Sequence, residues 1–326
     1  MNRSERARWV PLMCLCLLAG CDDRGAQETS GTDCADGMDD DGDGLTDCAD
    51  PGCAVHPWCG GGTDGGLDGG RLDAGRVDAG RVDSGPIVPG CNDPIDVVFV
   101  VDVSTSMRDE VASIRSGIDA IWTATESLTS AAEFSLVVFV DDAVSVNACA
   151  PFASREAMQT ELAEWQSFTS TNQQPSGTGP NNSDCAENSL DAIHLAATTC
   201  PFRDDALHLL IHVTDDTFAE RPAVLSESVF GGGGVPVQNS YAEVANALVL
   251  RQVRVGAFAA PGAGEECGAG SSANVGRGFH EPYLGMPSLP DATGGRAWSI
   301  RDVRAGTLNM ADAINAFTAD EYCTLF

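Results

Sequence analysis

Asp96-Val97-Val98-Phe99-Val100-Val101-Asp102-Val103-Ser104-Thr105-Ser106-Met107-Arg108-Asp109-Glu110 is the stretch around which the rest of the chain is organised. Val97 to Val101 is apolar without a break, with valines on both sides of Phe99. So short a run, rich in β-branched residues, predicts a buried parallel strand rather than a helix. Asp102, Ser104 and Ser106 then fall on alternate positions. A carboxylate at the mouth of an apolar strand is costly unless something pairs it. Two hydroxyls just beyond it are hard oxygen donors that add no charge. The combination fits a hard cation such as Mg²⁺ at the carboxyl end of a central strand, where open α/β sheets place their ligands. The plainer alternative is a strand followed by a serine-capped helix.

Downstream, strand and helix patterns alternate. Val111, Ile114, Ile118, Ile121 and Trp122 recur at helical spacing. Phe134 to Val140 reads as a second buried strand, with Ala143 to Val146 as a short antiparallel neighbour. Met158, Leu162 and Trp165 mark a helix capped by Ser154, and Leu190, Ile193 and Ala197 mark another. Leu207 to Val213 reads as a strand ending in Thr214-Asp215-Asp216. Tyr241, Val244 and Leu248 predict a helix, Val253 to Ala259 a strand, Ala297 to Ile300 a last strand and Leu308 to Phe317 a closing helix. This alternation predicts an α/β fold, a doubly wound and mainly parallel sheet with helices on both faces. Two Gly-rich insertions, Phe218 to Ser240 and Pro261 to Leu289, enlarge it.

Asp102-Val103-Ser104-Thr105-Ser106 resembles the D-x-S-x-S signature of von Willebrand factor A domains, which marks their metal-ion-dependent adhesion site. Asp215 then fits the family's third-loop aspartate, which acts through water. The second loop departs from the usual G-T-N-T. Asn182-Ser183-Asp184-Cys185-Ala186-Glu187 and the following Asn188 to Ile193 resemble instead the N-x-D-x-P-E loop of the integrin β-subunit I-like domain, whose glutamate binds the central ion. By this resemblance Ser104, Ser106 and Glu187 hold Mg²⁺ or Mn²⁺ directly, and Asp102 and Asp215 hold it through water. Met107-Arg108-Asp109-Glu110 resembles the integrin M-K-D-D, which places a neighbouring ion on Asp109 and Glu110. Phe139-Val140-Asp141 resembles the integrin F-V-D, which places a third ion, with Ca²⁺ the expected one, on Asp141, Asn182, Asp184 and Glu187. Ala186 stands where the integrin loop has proline. The resemblance spans roughly Asp96 to Ala260. Helix-start acids and turn residues are the alternative reading of each carboxylate.

The chain has 326 residues and a formal charge of −30, from 48 acidic residues against 18 basic ones, every one of them Arg. Such a balance excludes ordinary nucleic-acid binding, which needs clustered cations. Carboxylates converging at a strand end repel by about 4 kcal/mol per pair at 4 Å and an effective dielectric of ~20, so they demand a cation or protonation. No nucleophile–base pair stands out, so an enzyme is not expected. His208 and His212 alternate with apolar residues on a strand, as structural histidines do. The expected function is cation-dependent binding of a partner protein's carboxylate. The alternative is a structural envelope lipoprotein whose ions only stabilise the domain.

Arg3, Arg6 and Arg8 precede an apolar run from Trp9 to Gly20, too short to span a bilayer. Leu18-Ala19-Gly20-Cys21 resembles a bacterial lipobox, which makes residues 1–20 a lipoprotein signal peptide and Cys21 the lipidated residue. The expected location is therefore the bacterial cell envelope, lipid-anchored and facing the periplasm or the cell surface. Residues 21–32 form a tether. Residues 33–59 form a Cys/Asp-rich module in which Asp39, Asp41, Asp43, Leu45 (through its carbonyl), Asp47 and Asp50 follow a calcium-loop pattern; the alternative is an acidic spacer. Residues 60–90 are a linker containing G-R-L-D-A, G-R-V-D-A and G-R-V-D-S repeats, with a reach of roughly 30 Å as a Gly-rich coil. Residues 91–326 form the main domain.

The 13 cysteines lack paired C-x₂-C spacing, so disulfides in an oxidising compartment are expected. Domain termini often lie together, which pairs Cys91 with Cys323. Element directions pair Cys149 with Cys200 at the end away from the metal, and Cys185 with Cys267 at the metal end.

Overall fold

The computed structural model describes residues 93–183, 185–228, 233–264 and 273–324. The signal peptide, Cys21, the calcium loop and the linker lie outside these residues, as do Cys91, Asp184 and Cys267.

The quoted stretch opens with β1 (Ile95–Asp102), in which every residue is buried. A strand buried on both faces cannot alternate apolar with polar, which is why the valines run on unbroken. Its neighbours are β2 (Ala132–Phe139) and β4 (Leu207–Val213), both parallel to it. β3 (Ala143–Ser145) returns antiparallel along β2. Beyond β4 lie β7 (Val253–Ala259) and β8 (Arg296–Ser299), again parallel. The six strands run in the order β3-β2-β1-β4-β7-β8. The winding direction therefore reverses between β1 and β4, and the carboxyl ends of those two strands border the crevice where open α/β sheets take ligands.

Odd-numbered β1 residues Val97, Phe99 and Val101 pack with Ile114, Ile118 and Ile121 of α1 (Arg108–Leu128), Met158 and Leu162 of α2 (Arg155–Phe168), and Ile314 and Phe317 of α7 (Met310–Glu321). Even-numbered Val98 and Val100 pack with Leu190 and Ile193 of α3 (Ser189–Thr199) and Val244 and Leu248 of α4 (Tyr241–Leu250). This is the doubly wound α/β arrangement that the sequence pattern predicts. Truncating a core residue such as Phe99 to Ala costs about 3–5 kcal/mol. Gly117 lets α1 and α7 approach closely, since a Cβ there would sit 2.8 Å from that of Ala311.

Caps set several helix starts. Ser154 accepts from Ala157 N–H, and Ser240 and Glu243 form a capping box at α4. The last strand ends one residue earlier than expected, because Ile300 opens the short α6 (Ile300–Arg304). The first insertion carries a hairpin of β5 (Val224–Leu225) and β6 (Val235–Pro236). The second runs into α5 (Leu289–Ala292) and packs Phe279 and Tyr283 near Phe218 and Tyr241.

Cys149 and Cys200 form a disulfide near the amino half of β2, where Ser135 Oγ donates to the Cys149 carbonyl at 3.0 Å. Cys185 and Cys323 are also disulfide-bonded; their expected partners fall outside the described residues. Among those residues no helix is long and apolar enough to cross a membrane.

Candidate metal centre

The crevice at the β1/β4 carboxyl ends is built by strand alternation. Val101 pairs with Val213 across the sheet, which sets Asp102 beside Thr214. Thr214 Oγ1 donates to Asp102 Oδ2 at 2.8 Å, and Ser104 N–H donates to Asp102 Oδ1 at 2.7 Å. Both bonds fix the carboxylate's orientation at a position with 0% exposure. Ser104 and Ser106 place their hydroxyl oxygens 3.0 Å apart just beyond it.

The second loop reaches the same place from the start of α3. Glu187 is 1% exposed, and its Oε1 accepts from Asn182 Nδ2 at 2.6 Å. Its backbone N–H bonds to the Thr217 carbonyl, tying this loop to the one after β4. Glu187 Oε2 is buried with no hydrogen-bond partner among the described residues. Asn188 Nδ2 donates to the Asp141 carbonyl at 2.9 Å, which joins the second loop to the end of β2.

A third carboxylate, Asp216, which the sequence reading did not single out, joins Asp102 and Glu187. Asp102, Glu187 and Asp216, all buried, each offer a carboxylate oxygen within 4.8 Å of the others. The expected Asp215 lies in the same crevice but points elsewhere. Its Oδ1 accepts from Ser106 Oγ at 2.9 Å, and its Oδ2 accepts from Arg304 Nη2 at 2.7 Å. The period of two explains the split. Asp215 continues the Ile211–Val213 face toward α1 and α6, whereas Asp216 continues the Thr214 face toward α3. The D-D doublet leaves the choice open, and the facing of Glu187 selects the second aspartate.

Asp109 and Glu110, the residues expected to hold a neighbouring ion, have different surroundings. Asp109 is exposed, and Glu110, buried, receives a 2.5 Å bond from Arg304 Nε. A guanidinium from α6, which local motif reading cannot see, occupies that position. For the third ion, Asp141 is buried and its Oδ2 accepts from Gln174 Nε2 at 2.5 Å. Gln174 Oε1 in turn accepts from the N–H groups of Asp141 and Asp142. Asn182 Nδ2 donates to Glu187 Oε1, and Asp184 lies outside the described residues. Gln174 sits in the loop after α2, rich in Gly, Pro and Asn, and had no sequence signal.

Electrostatics follow from this crowding. Burial, with Asp215 next, raises the Asp102 pKa to about 7, against the opposing bonds from Ser104 and Thr214. Burial raises Glu187 well above the usual carboxylate range, and Asp102, Asp216 and Asp141 add to it. Each like-charged pair at 4.8 Å costs about 3.5 kcal/mol at an effective dielectric of ~20. Three buried carboxylates, one of them with an unpartnered oxygen, and two hydroxyls are a hard-oxygen donor set, so these residues fit a hard divalent cation.

The histidines stand apart from the crevice chemistry. The two ring nitrogens of His208 lie 2.8 and 2.7 Å from the carbonyl oxygens of Arg251 and Arg203. His212 is stacked between Phe139 and Phe279, and burial lowers its pKa to about 3 against a smaller opposing influence of the Val100 backbone.

No protein-family model matches the chain. Among solved structures it is similar to the conserved hypothetical protein BatB from Bacteroides thetaiotaomicron, at 12% identity over 68% of this chain and 98% of that one, with a TM-score of 0.38. It is also similar to an aerotolerance-related membrane protein from Bacteroides fragilis bearing multiple mutations to serine, at 15% identity over 69% of this chain and 98% of that one, with a TM-score of 0.41. The α/β fold is defined by the strand order and register themselves: a mostly parallel six-stranded sheet with its acidic crevice at the point where the winding reverses.

Proposed function

We propose that this is a lipid-anchored protein of the bacterial envelope whose von Willebrand A-type domain binds a partner protein in a divalent-cation-dependent way, without turnover. One observation carries the reading. Asp102, Glu187 and Asp216 converge, buried, within 4.8 Å at the reversal point of the sheet. Ser104 and Ser106 hydroxyls at their rim complete an oxygen set for Mg²⁺ or Mn²⁺. A bound dication supplies a concentrated positive charge to which a carboxylate oxygen of the partner can attach. Thr214 and the Ser104 N–H hold Asp102 in one orientation, and Asn182 does the same for Glu187. Arg304 and Ser106 hold Asp215 at the side. The lipid anchor at Cys21 and the Ca²⁺ loop at residues 39–50 rest on the sequence motifs.

The test is a pull-down from envelope or extracellular-matrix material with the full chain, in Mg²⁺, in EDTA, and with Asp102→Ala. Retention in Mg²⁺ that is lost in EDTA and lost in Asp102→Ala is the expected result. Equal retention in all three sinks the cation-dependent reading. A Mg²⁺-induced rise in melting temperature with nothing retained assigns the ion a structural role instead.

A further inference from the structure

Arg304 projects from α6 into the acidic crevice and bridges three separate parts of it. Nε donates to Glu110 Oε1 at 2.5 Å, Nη2 donates to Asp215 Oδ2 at 2.7 Å, and Nη2 also lies 3.4 Å from the Ser106 carbonyl. Glu110 and Asp215 each retain 2% side-chain exposure, against 34% for Arg304. We propose that Arg304 is a built-in cation that sets how many divalent ions the crevice takes. It fills the compartment between Glu110, Asp215 and the Ser106 carbonyl, and leaves the Asp102–Glu187–Asp216 compartment for a divalent ion. The inference rests on the reading that this triad binds a cation.

Three observations support it. The first is charge: Asp102, Glu110, Glu187, Asp215 and Asp216 are all buried around one crevice. One dication cannot neutralise five carboxylates, and carboxylates are buried only when paired or protonated. Arg304 pairs with two of the five.

The second is geometry. Strand alternation sends Asp215 toward α1 and α6, where Arg304 waits, and Asp216 toward Glu187. The two compartments therefore share the β4 end but draw on different aspartates. A planar guanidinium, permanently charged, can present its Nε and Nη2 edges to two carboxylates at once. A neutral side chain or a water cannot supply that charge.

The third is Glu110 itself. Its Oε1 is on Arg304, while Oε2 is buried with no hydrogen-bond partner among the described residues. This carboxylate has acceptor capacity beyond what the guanidinium uses. Without Arg304, two carboxylates and a carbonyl oxygen would face one another, all hard donors suited to a dication.

Counting bound Mn²⁺ on the full chain, by equilibrium dialysis and by the loss of the free-ion paramagnetic signal, tests the inference. Arg304→Met should bind one more Mn²⁺ per chain than the wild type. The double variant Arg304→Met/Glu110→Gln should return to the wild-type number, because it lacks one of the two carboxylates. Arg304→Lys should keep the wild-type number. If Arg304→Met does not fold in the absence of cation, Mn²⁺ should restore its folding at concentrations that leave the wild type unchanged. Failure of Mn²⁺ to do so, or a folded Arg304→Met with the wild-type number, overturns the inference alone. An Asp102→Asn chain that keeps the wild-type number overturns the triad reading itself, and the inference with it.

Discussion

Thr214 Oγ1 donates a 2.8 Å hydrogen bond to Asp102 Oδ2, across residues 112 apart in sequence. It joins the ends of β1 and β4 at the point where the winding of the sheet reverses. The same hydroxyl accepts from Asp216 N–H at 3.2 Å, so one side chain orients two members of the triad. Groups that orient metal ligands typically account for 10–100-fold in affinity. Thr214→Val keeps the shape and removes the hydroxyl. It should weaken Mg²⁺ binding by about tenfold or more in calorimetric titration, with the circular dichroism spectrum unchanged. Wild-type affinity would mean that the strand end alone fixes Asp102.

The contribution of Asp102 to the stability of the metal-free protein should fall as pH rises. Burial lifts Asp102 from 3.8 to about 7, so between those values the folded state holds a proton that the unfolded state releases. By linkage, stability falls wherever the unfolded state binds fewer protons. The contribution is fully present below the unfolded value and is lost as pH passes about 7. At about 1.4 kcal/mol per unit, the loss is about 4 kcal/mol. Glu187, raised by burial and by its acidic neighbours, acts in the same direction. His212, lowered by burial to about 3, acts in the opposite direction up to about pH 6.5. The readout is therefore the difference between wild type and Asp102→Asn. Denaturant unfolding in EDTA from pH 4 to 8 should show that difference shifting against the wild type as pH rises, and saturating Mg²⁺ should remove most of the shift. A wild-type-minus-Asp102→Asn difference that is constant or grows over this range contradicts the crowding described for the crevice.

Glu187→Gln separates function from stability. The amide keeps one oxygen for Asn182 and removes a charge packed against Asp102 and Asp216. Mg²⁺ affinity and partner retention should fall. The metal-free melting temperature should rise by several degrees, since a domain of this size gains about 2–4 °C per kcal/mol. A Glu187→Gln chain that binds Mg²⁺ like the wild type would make Glu187 only a helix-start acid.

The strands were legible because both faces are covered. Leu207–Val213 and Val253–Ala259 are mainly apolar runs, with His208, His212 and Arg254 as their polar members, and the structure places β4 and β7 on those residues. Asp102 was legible for the same reason: a charge closing such a run must have a purpose. What escaped depends on facing and on distant contacts. Asp215 and Asp216 are adjacent in sequence, and only the position of α3 decides which of them meets Glu187. Arg304 sits 194 residues from Glu110, in a five-residue helix with no periodic signal. Gln174 lies in a polar loop whose composition says nothing of a buried bond to Asp141.

The two aspartates after β4 should respond differently to loss of charge. Asp216 is within 4.8 Å of Asp102 and Glu187 through its carboxylate oxygen, so Asp216→Asn removes one of three charges facing the ion. Its Mg²⁺ affinity should fall by at least tenfold. Asp215 is bonded to Ser106 and to Arg304. Asp215→Asn leaves the triad intact and weakens the grip on Arg304, which still holds Glu110. Its affinity for Mg²⁺ should change by less than about threefold. The cost should appear instead as stability, about 1–3 kcal/mol for a weakened, partly buried charge-assisted bond. Calorimetric titration and denaturant unfolding of the two variants side by side read both effects. The reverse ranking, with Asp215→Asn abolishing Mg²⁺ binding and Asp216→Asn sparing it, would return the third-loop role to Asp215 and rule out the Asp102–Glu187–Asp216 triad as the ion's seat.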